Sequence, residues 1–282
     1  VTIFDIHPHV VSADHKRYPF NDVFNHKPPW IAERAVDTGQ YLAEMDGCGV
    51  AKAILVHSST TYGYDCDYAA DSAVAHPDRL GSVCSIDVRA PDAAQRLRYW
   101  IRDRKMNGLR IFTAGGTMAE NSDWFADPVT YPAWEMAAEL GIPICVTMRI
   151  GGFPRLAKMV ERFSTVRVIL DHLCHVPADD GPPFHAADAL WAFADSPNVY
   201  LKLSTANFNE LNRQPGIAQP FVRLCVERFG SGRIAWGSNY PSTAGPLSKL
   251  VDLAKNELAF LPEADREAIF STTALSLYPV LA

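Results

Sequence analysis

Apolar and β-branched residues gather in eight short runs along the chain, and helical spacing of apolar positions fills the intervals between most of them. The runs predict strands at about 2–8, 52–57, 81–87, 108–113, 143–148, 167–172, 199–204 and 233–238. Helices are predicted near 37–48, 65–76, 91–105, 130–140, 153–163, 186–195, 216–229, 247–258 and 263–278. A strand followed by a helix, repeated, requires a parallel sheet, because each helix returns the chain to the same edge. Eight such units close into a (β/α)8 barrel, here a single α/β domain over 1–282. An open doubly wound sheet competes, but it carries a glycine-rich phosphate turn after its first strand, and Phe4-Asp5-Ile6-His7-Pro8-His9 has none. The stretch from Val11 to Arg34 is expected to be a long loop over the barrel mouth, and the helices ending in Ala274-Leu275-Ser276-Leu277-Tyr278 are expected to pack outside the barrel.

Composition narrows the partners. Among 282 residues the charges intermix to a net −6 without a basic or acidic run, so a nucleic-acid partner is not expected. No apolar stretch approaches the roughly 18 residues of a membrane span, and Val1 opens into a strand with no signal peptide in view. Six scattered cysteines without a C-x-x-C pair read as reduced thiols in a cytoplasmic protein. A homo-oligomer is compatible with this sequence, and a small-molecule substrate is the expected partner.

Barrel enzymes take their chemistry from the C-terminal ends of the strands. The first strand ends in His7-Pro8-His9, two imidazoles on one side of a strand; the sixth ends in Asp171-His172, with His172 sharing the inward face of Val168 and Leu170. Three converging imidazoles are a recognised zinc arrangement; alternatively they are polar barrel residues bonded to neighbours. Gly108, Arg110 and Phe112 share one face and Cys145, Thr147 and Arg149 another, so Arg110 and Arg149 are candidates to clamp a carboxylate, or else simply pair with nearby acids. Ser58, Tyr62 and Tyr64 lie in a hydroxyl-rich loop after the second strand and are candidate substrate contacts. Lys202 and Asp5 read as an inward structural ion pair, and Cys174-His175 as loop filling or support. There is no G-x-S-x-G elbow, Walker loop or G-x-G-x-x-G, which weakens serine-hydrolase, nucleotide-binding and dehydrogenase readings.

The ordered series Asp5-Ile6-His7-Pro8-His9, Val168-Ile169-Leu170-Asp171-His172-Leu173, Leu201-Lys202-Leu203-Ser204 and Trp236-Gly237-Ser238-Asn239-Tyr240-Pro241 resembles the amidohydrolase superfamily, in its lactonase branch. Leu55-Val56-His57-Ser58-Ser59, His76-Pro77-Asp78-Arg79-Leu80 and Asn107-Gly108-Leu109-Arg110 extend the likeness over nearly the whole chain. The resemblance implies hydrolysis of a small acidic or sugar-derived lactone, with His7, His9 and His172 as ligands of one divalent ion (Zn2+ or Mn2+) or as groups that polarise the carbonyl. Branches of this superfamily differ in whether they need a metal. It also implies Asn239 as a site residue and Tyr240 as a substrate contact.

One departure stands out. The family places an aspartate base where this chain has Asn239, and an amide takes up no proton near neutral pH. A metal-bound hydroxide, a base elsewhere such as His57 or His172, or an engineered or naturally disabled site would each account for it. Decarboxylation or lactone isomerisation on the same fold, and a non-catalytic binding barrel, are the rival readings.

Overall fold

The apolar runs fold as eight short parallel strands: β1 (Ile3–Asp5), β2 (Val50–Val56), β3 (Leu80–Ser85), β4 (Leu109–Phe112), β5 (Ile144–Thr147), β6 (Val168–Asp171), β7 (Val199–Ser204) and β8 (Ile234–Gly237). The computed structural model describes residues 1–21, 23, 24, 27–113 and 121–282. The strands pair in chain order, and the Ile6 amide donates to the Trp236 carbonyl at 3.3 Å, bringing the last strand to the first. This is the expected (β/α)8 barrel. Every residue of β3, β4, β5, β6 and β8 is buried, as strands held between a filled interior and a helical shell must be.

The helices begin and end where local chemistry dictates. Before helix Thr38–Cys48 the Asp37 carboxylate accepts the Gln40 amide at 2.8 Å, and the Gln40 side chain accepts the Asp37 amide at 2.9 Å. Gly49, at φ 76°, ends that helix and turns the chain into β2.

The two faces of the strands do different work. Val168, Leu170, Leu201 and Leu203 face the helices in the main core. Phe4, Ile6, Ile54, Val83, Cys145, Ile169 and Ala235 fill the interior, and Ala274, Leu277, Tyr278 and Leu281 pack against them. The C-terminal segment therefore plugs one end of the barrel instead of lying on its outside; the same apolar pattern serves either placement. All six cysteines are free thiols, five of them buried. No helix among the described residues is long and apolar enough to cross a membrane.

The stretch 11–34 does cover the opposite end, although Asp22, Asn25 and His26 lie outside the described residues. Arg34 ties it down, donating from Nε to the Pro241 carbonyl at 2.9 Å and from a terminal nitrogen to the Ser242 carbonyl at 3.0 Å. The Ser12 amide donates to the Tyr62 hydroxyl at 2.8 Å, and Trp30 stacks on His9 with ring centres 5.9 Å apart.

Candidate active site

Under the Trp30 cover lies a cavity of about 170 Å³ lined by His9, Ser58, Arg110, Thr147, His172, His175, Asn239 and Ser242, with Pro28 and Trp30 above. This is small beside the roughly 300–1,000 Å³ of pockets for drug-sized ligands, which points to a small ligand.

The three predicted histidines do meet. The rings of His7 and His172 are 4.4 Å apart between centres and those of His7 and His9 5.1 Å. His9 and His172 line the cavity, while His7, wholly buried, stands one layer beneath. Gly237 makes room for it, since a Cβ there would stand 2.6 Å from His7 Cβ.

His172 arrives by a route its strand parity does not predict. Val168 and Leu170 face the helices, and it is Ile169 and Asp171 that face inward. The chain then enters the left-handed region for four consecutive residues, His172, Leu173, Cys174 and His175, at φ between 51 and 54°, and this turn swings the imidazole into the cavity. None is glycine, so the turn is held against a cost of about 1–2 kcal/mol per residue. Asn207 helps hold it, donating from Nδ2 to the His172 carbonyl at 2.9 Å.

Hydrogen bonds assign the ring protons. The Val56 carbonyl, 2.8 Å from His9 Nδ1, can only accept, so His9 carries its proton there and leaves Nε2 bare. Ser204 spends its hydroxyl hydrogen on Asn207 Oδ1 at 2.9 Å, so its oxygen accepts from His172 Nδ1 at 2.8 Å, and His172 Nε2 is bare as well. His7 is the reverse: Lys202 Nζ, an ammonium with no lone pair, stands 3.1 Å from Nδ1, so the proton sits on Nε2. That atom is fully buried with no hydrogen-bond partner. Burial keeps the rings neutral: His9 falls to about 3, with Arg110 adding to the effect, and His7 and His172 also fall well below the ordinary histidine value.

Arg110 and Lys202 share one carboxylate. Asp171 accepts from Arg110 Nε at 2.9 Å and stands 2.7 Å from Lys202 Nζ; against the raising effect of burial, Lys202 and then Arg110 hold it down at about 2. Arg110 also donates to Thr147 at 3.0 Å. It thus both pairs with an acid and lines the cavity. Lys202 faces inward as expected, but its partner is Asp171. Asp5 instead accepts from Ser238, Tyr41 and the His7 amide, between β1, β8 and the helical shell.

The other predicted contacts separate. Ser58 and Asn239 line the cavity, Asn239 in the left-handed conformation that asparagine tolerates, donating to Thr243 at 2.9 Å. Tyr62 lies behind, packed with Val11, Trp30 and Ile31. Tyr64 lines a crevice with Arg89, Phe112 and Trp124 that Arg110 also borders. Tyr240 stacks on Tyr41 at 6.1 Å and faces another depression. Arg149 is exposed and lines a neighbouring cavity of about 290 Å³. His57 is tied through Nε2 to the Gly63 carbonyl at 2.9 Å.

His175, read as loop filling or support, borders both cavities, with Nδ1 3.5 Å from Glu210. Thr147, Ser242 and Trp30 were also not singled out as site residues. For Trp30 the sequence signal is the Pro28-Pro29-Trp30 run in the cover loop.

The profile of the amidohydrolase family (Amidohydro_2) matches residues 4–280. The chain belongs to the amidohydrolase family. This amidohydrolase is 29% identical over 197 residues to the L-fucono-1,5-lactonase of Burkholderia ambifaria, a match spanning 68% of the chain and 66% of that relative's length. In fold it is similar to a probable 2-pyrone-4,6-dicarboxylic acid hydrolase from Acinetobacter baumannii bound to citric acid (TM-score 0.80, 15% identity, 99% and 100% of the two chains). It is also similar to an amidohydrolase from Burkholderia multivorans with bound zinc (TM-score 0.78, 19% identity, 99% of each chain).

Whether this amidohydrolase offers the same ion a place is a question of lone pairs. An ion taken by all three rings needs three bare nitrogens, and the arrangement presents two, with a proton on the third. Among the described residues no three His, Cys, Asp or Glu side chains stand so as to hold a metal ion. As placed, the residues do not fit a three-histidine metal centre.

Proposed function

We propose that this amidohydrolase opens a small sugar-type lactone by adding water across its ester bond. The observation that carries the reading is the pair of neutral imidazoles, His9 and His172, offering bare Nε2 atoms to the same small cavity that Arg110 enters as a cation. Water attacks the lactone carbonyl carbon while His172 Nε2 takes its proton, and the carbonyl oxygen gathers negative charge opposite the Arg110 guanidinium. When the tetrahedral intermediate collapses, the ring C–O bond breaks and the His172 imidazolium returns the proton to the leaving alkoxide. A hydroxy acid results, and no proton is left over.

Asn239 fits this route as a neutral group that orients water or a substrate hydroxyl, with the base supplied from β6. His57 is unsuited, because its loop bond to Gly63 holds it outside the cavity lining. The lining favours a polyhydroxylated lactone over a dicarboxylate: Ser58, Ser59, Thr60, Thr147, Asn239 and Ser242 are hydrogen-bonding groups, and Arg110 is the guanidinium among them. Tyr62, Tyr64, Tyr240 and Arg149 would then act on the edges, Tyr62 by holding the cover loop and Arg149 by meeting an extension of the substrate in the neighbouring cavity.

Purified protein assayed on a panel of aldono-1,5-lactones and acidic lactones, with and without Zn2+ or Mn2+, tests the reading. Gain of one water by mass is the expected result, with sugar lactones preferred. Loss of carbon dioxide would move the chain to decarboxylation, an unchanged mass to isomerisation, and no turnover under any condition would sink the catalytic reading.

A further inference from the structure

We propose that Lys202 sets the tautomer of His7, holding it as an Nε2–H donor beneath the cavity and so keeping the histidine cluster from closing around a divalent ion. Lys202 is wholly buried, and its ammonium faces three groups: Asp171 Oδ1 at 2.7 Å, His7 Nδ1 at 3.1 Å and Cys145 Sγ at 3.6 Å. Hydrogen bonds reach His7 and Cys145, and the ion pair to Asp171 compensates the ammonium in the barrel interior. In the usual support of a metal-bound histidine a carboxylate or carbonyl accepts the far ring proton, leaving the near nitrogen bare for the ion. His9 and His172 follow that pattern, through Val56 and Ser204. At His7 the nearest carboxylate oxygen, Asp171 Oδ1, is 3.7 Å from Nδ1, beyond hydrogen-bond reach, and the lysine stands at the nearer 3.1 Å. Inserting a donor where an acceptor belongs reverses the ring.

The consequence is a cluster with two lone pairs and one N–H in place of three lone pairs. Such a set is matched to hydrogen-bonded oxygen chemistry, in which the N–H dipole and the charge behind it favour a negative oxygen above. It is mismatched to a cation. The inference rests on the lactonase reading only for what that donor serves, and the tautomer itself can be measured without a substrate.

The experiment uses the full chain with 15N-labelled histidine, read by the ring nitrogen shifts, and in parallel a calorimetric titration with Zn2+. Wild-type His7 is expected to show a protonated Nε2 and a bare Nδ1. Lys202→Met, which removes the donor at similar length, is expected to move the proton to Nδ1 and raise Zn2+ affinity by about 10- to 100-fold. Lys202→Gln, which keeps an N–H donor without the charge, is expected to stay close to wild type in both readouts. A wild-type His7 protonated on Nδ1 would overturn the proposal, as would a Lys202→Met variant with unchanged tautomer and affinity, or a Lys202→Gln variant that gains zinc as strongly as Lys202→Met. If Lys202→Met does not fold, the wild-type tautomer and the Lys202→Gln titration still decide. A protein that shows this tautomer but opens no lactone keeps the inference and loses the proposed function.

Discussion

The two ends of this barrel are made of opposite materials. At one end Ala274, Leu277, Tyr278 and Leu281 press against Phe4, Ile54, Val83, Cys145, Ile169 and Ala235, a contact carried almost wholly by apolar surface. At the other, three histidines, Arg110, Lys202 and Asp171 share a buried network. Both sets of side chains are buried, yet burial contributes stability at the first end and at the second costs desolvation that only well-placed partners offset. The difference teaches where change is tolerated: the plug should accept substitutions that lower stability and leave turnover intact, and the mouth should do the reverse.

His172→Ala tests the mouth most strongly. It should reduce kcat by about 10²- to 10⁴-fold with little change in melting temperature, as loss of a proton acceptor does; a variant within tenfold of wild type would remove His172 from the reaction. Asp171→Asn blurs the contrast, because it leaves Lys202 buried beside an uncharged amide. A loss of about 3–5 kcal/mol in chemical denaturation is expected, together with loss of activity. Leu277→Ala should cost about 2–5 kcal/mol at the plug with kcat/KM unchanged; an altered KM would show that the two ends communicate.

Acid separates the ends by another means. His9 and His57 titrate near 3 and 4 when folded and near 6.5 when unfolded, so between those values the unfolded chain binds more protons and stability falls as pH falls. The melting temperature should hold above pH 6.5 and decline below it, each such histidine contributing at most about 1.4 kcal/mol per pH unit. His9 and His172 should give turnover no acid limb near 6.5, because burial keeps both rings neutral there. An inflection at that pH would contradict the burial described. The smallest effect is expected of Asn239→Asp: with proton transfer already served from β6, kcat should rise by less than about tenfold, whereas a larger gain would mark a disabled site.

Much of this was legible in the chain. The two-residue and helical periods name every strand, and H-x-H at the first strand with histidine after the sixth names the cluster. What could not be read was anything decided by a turn or by a third dimension. Parity along β6 sends His172 to the wrong face, and only the left-handed residues that follow correct it. Tyr62 sits near the mouth in sequence but turns into packing, because a phenol ring gains from burial, while Tyr64 and Tyr240 border other depressions. Ala274–Leu281 carries an apolar face that fits the outside of a barrel as well as its floor. Lys202 was expected to pair with Asp5 and pairs with Asp171 instead, because the partner depends on how strands stagger around a closed sheet.

Four adjoining left-handed residues leave the loop after β6 with a conformation its own sequence does not favour, sustained by Asn207 and the packing around Leu173 and Cys174. Such a loop relaxes when its neighbours loosen, well before the strands part. Warming should therefore silence this protein at a temperature where its circular dichroism is still that of an intact barrel, and cooling should restore it.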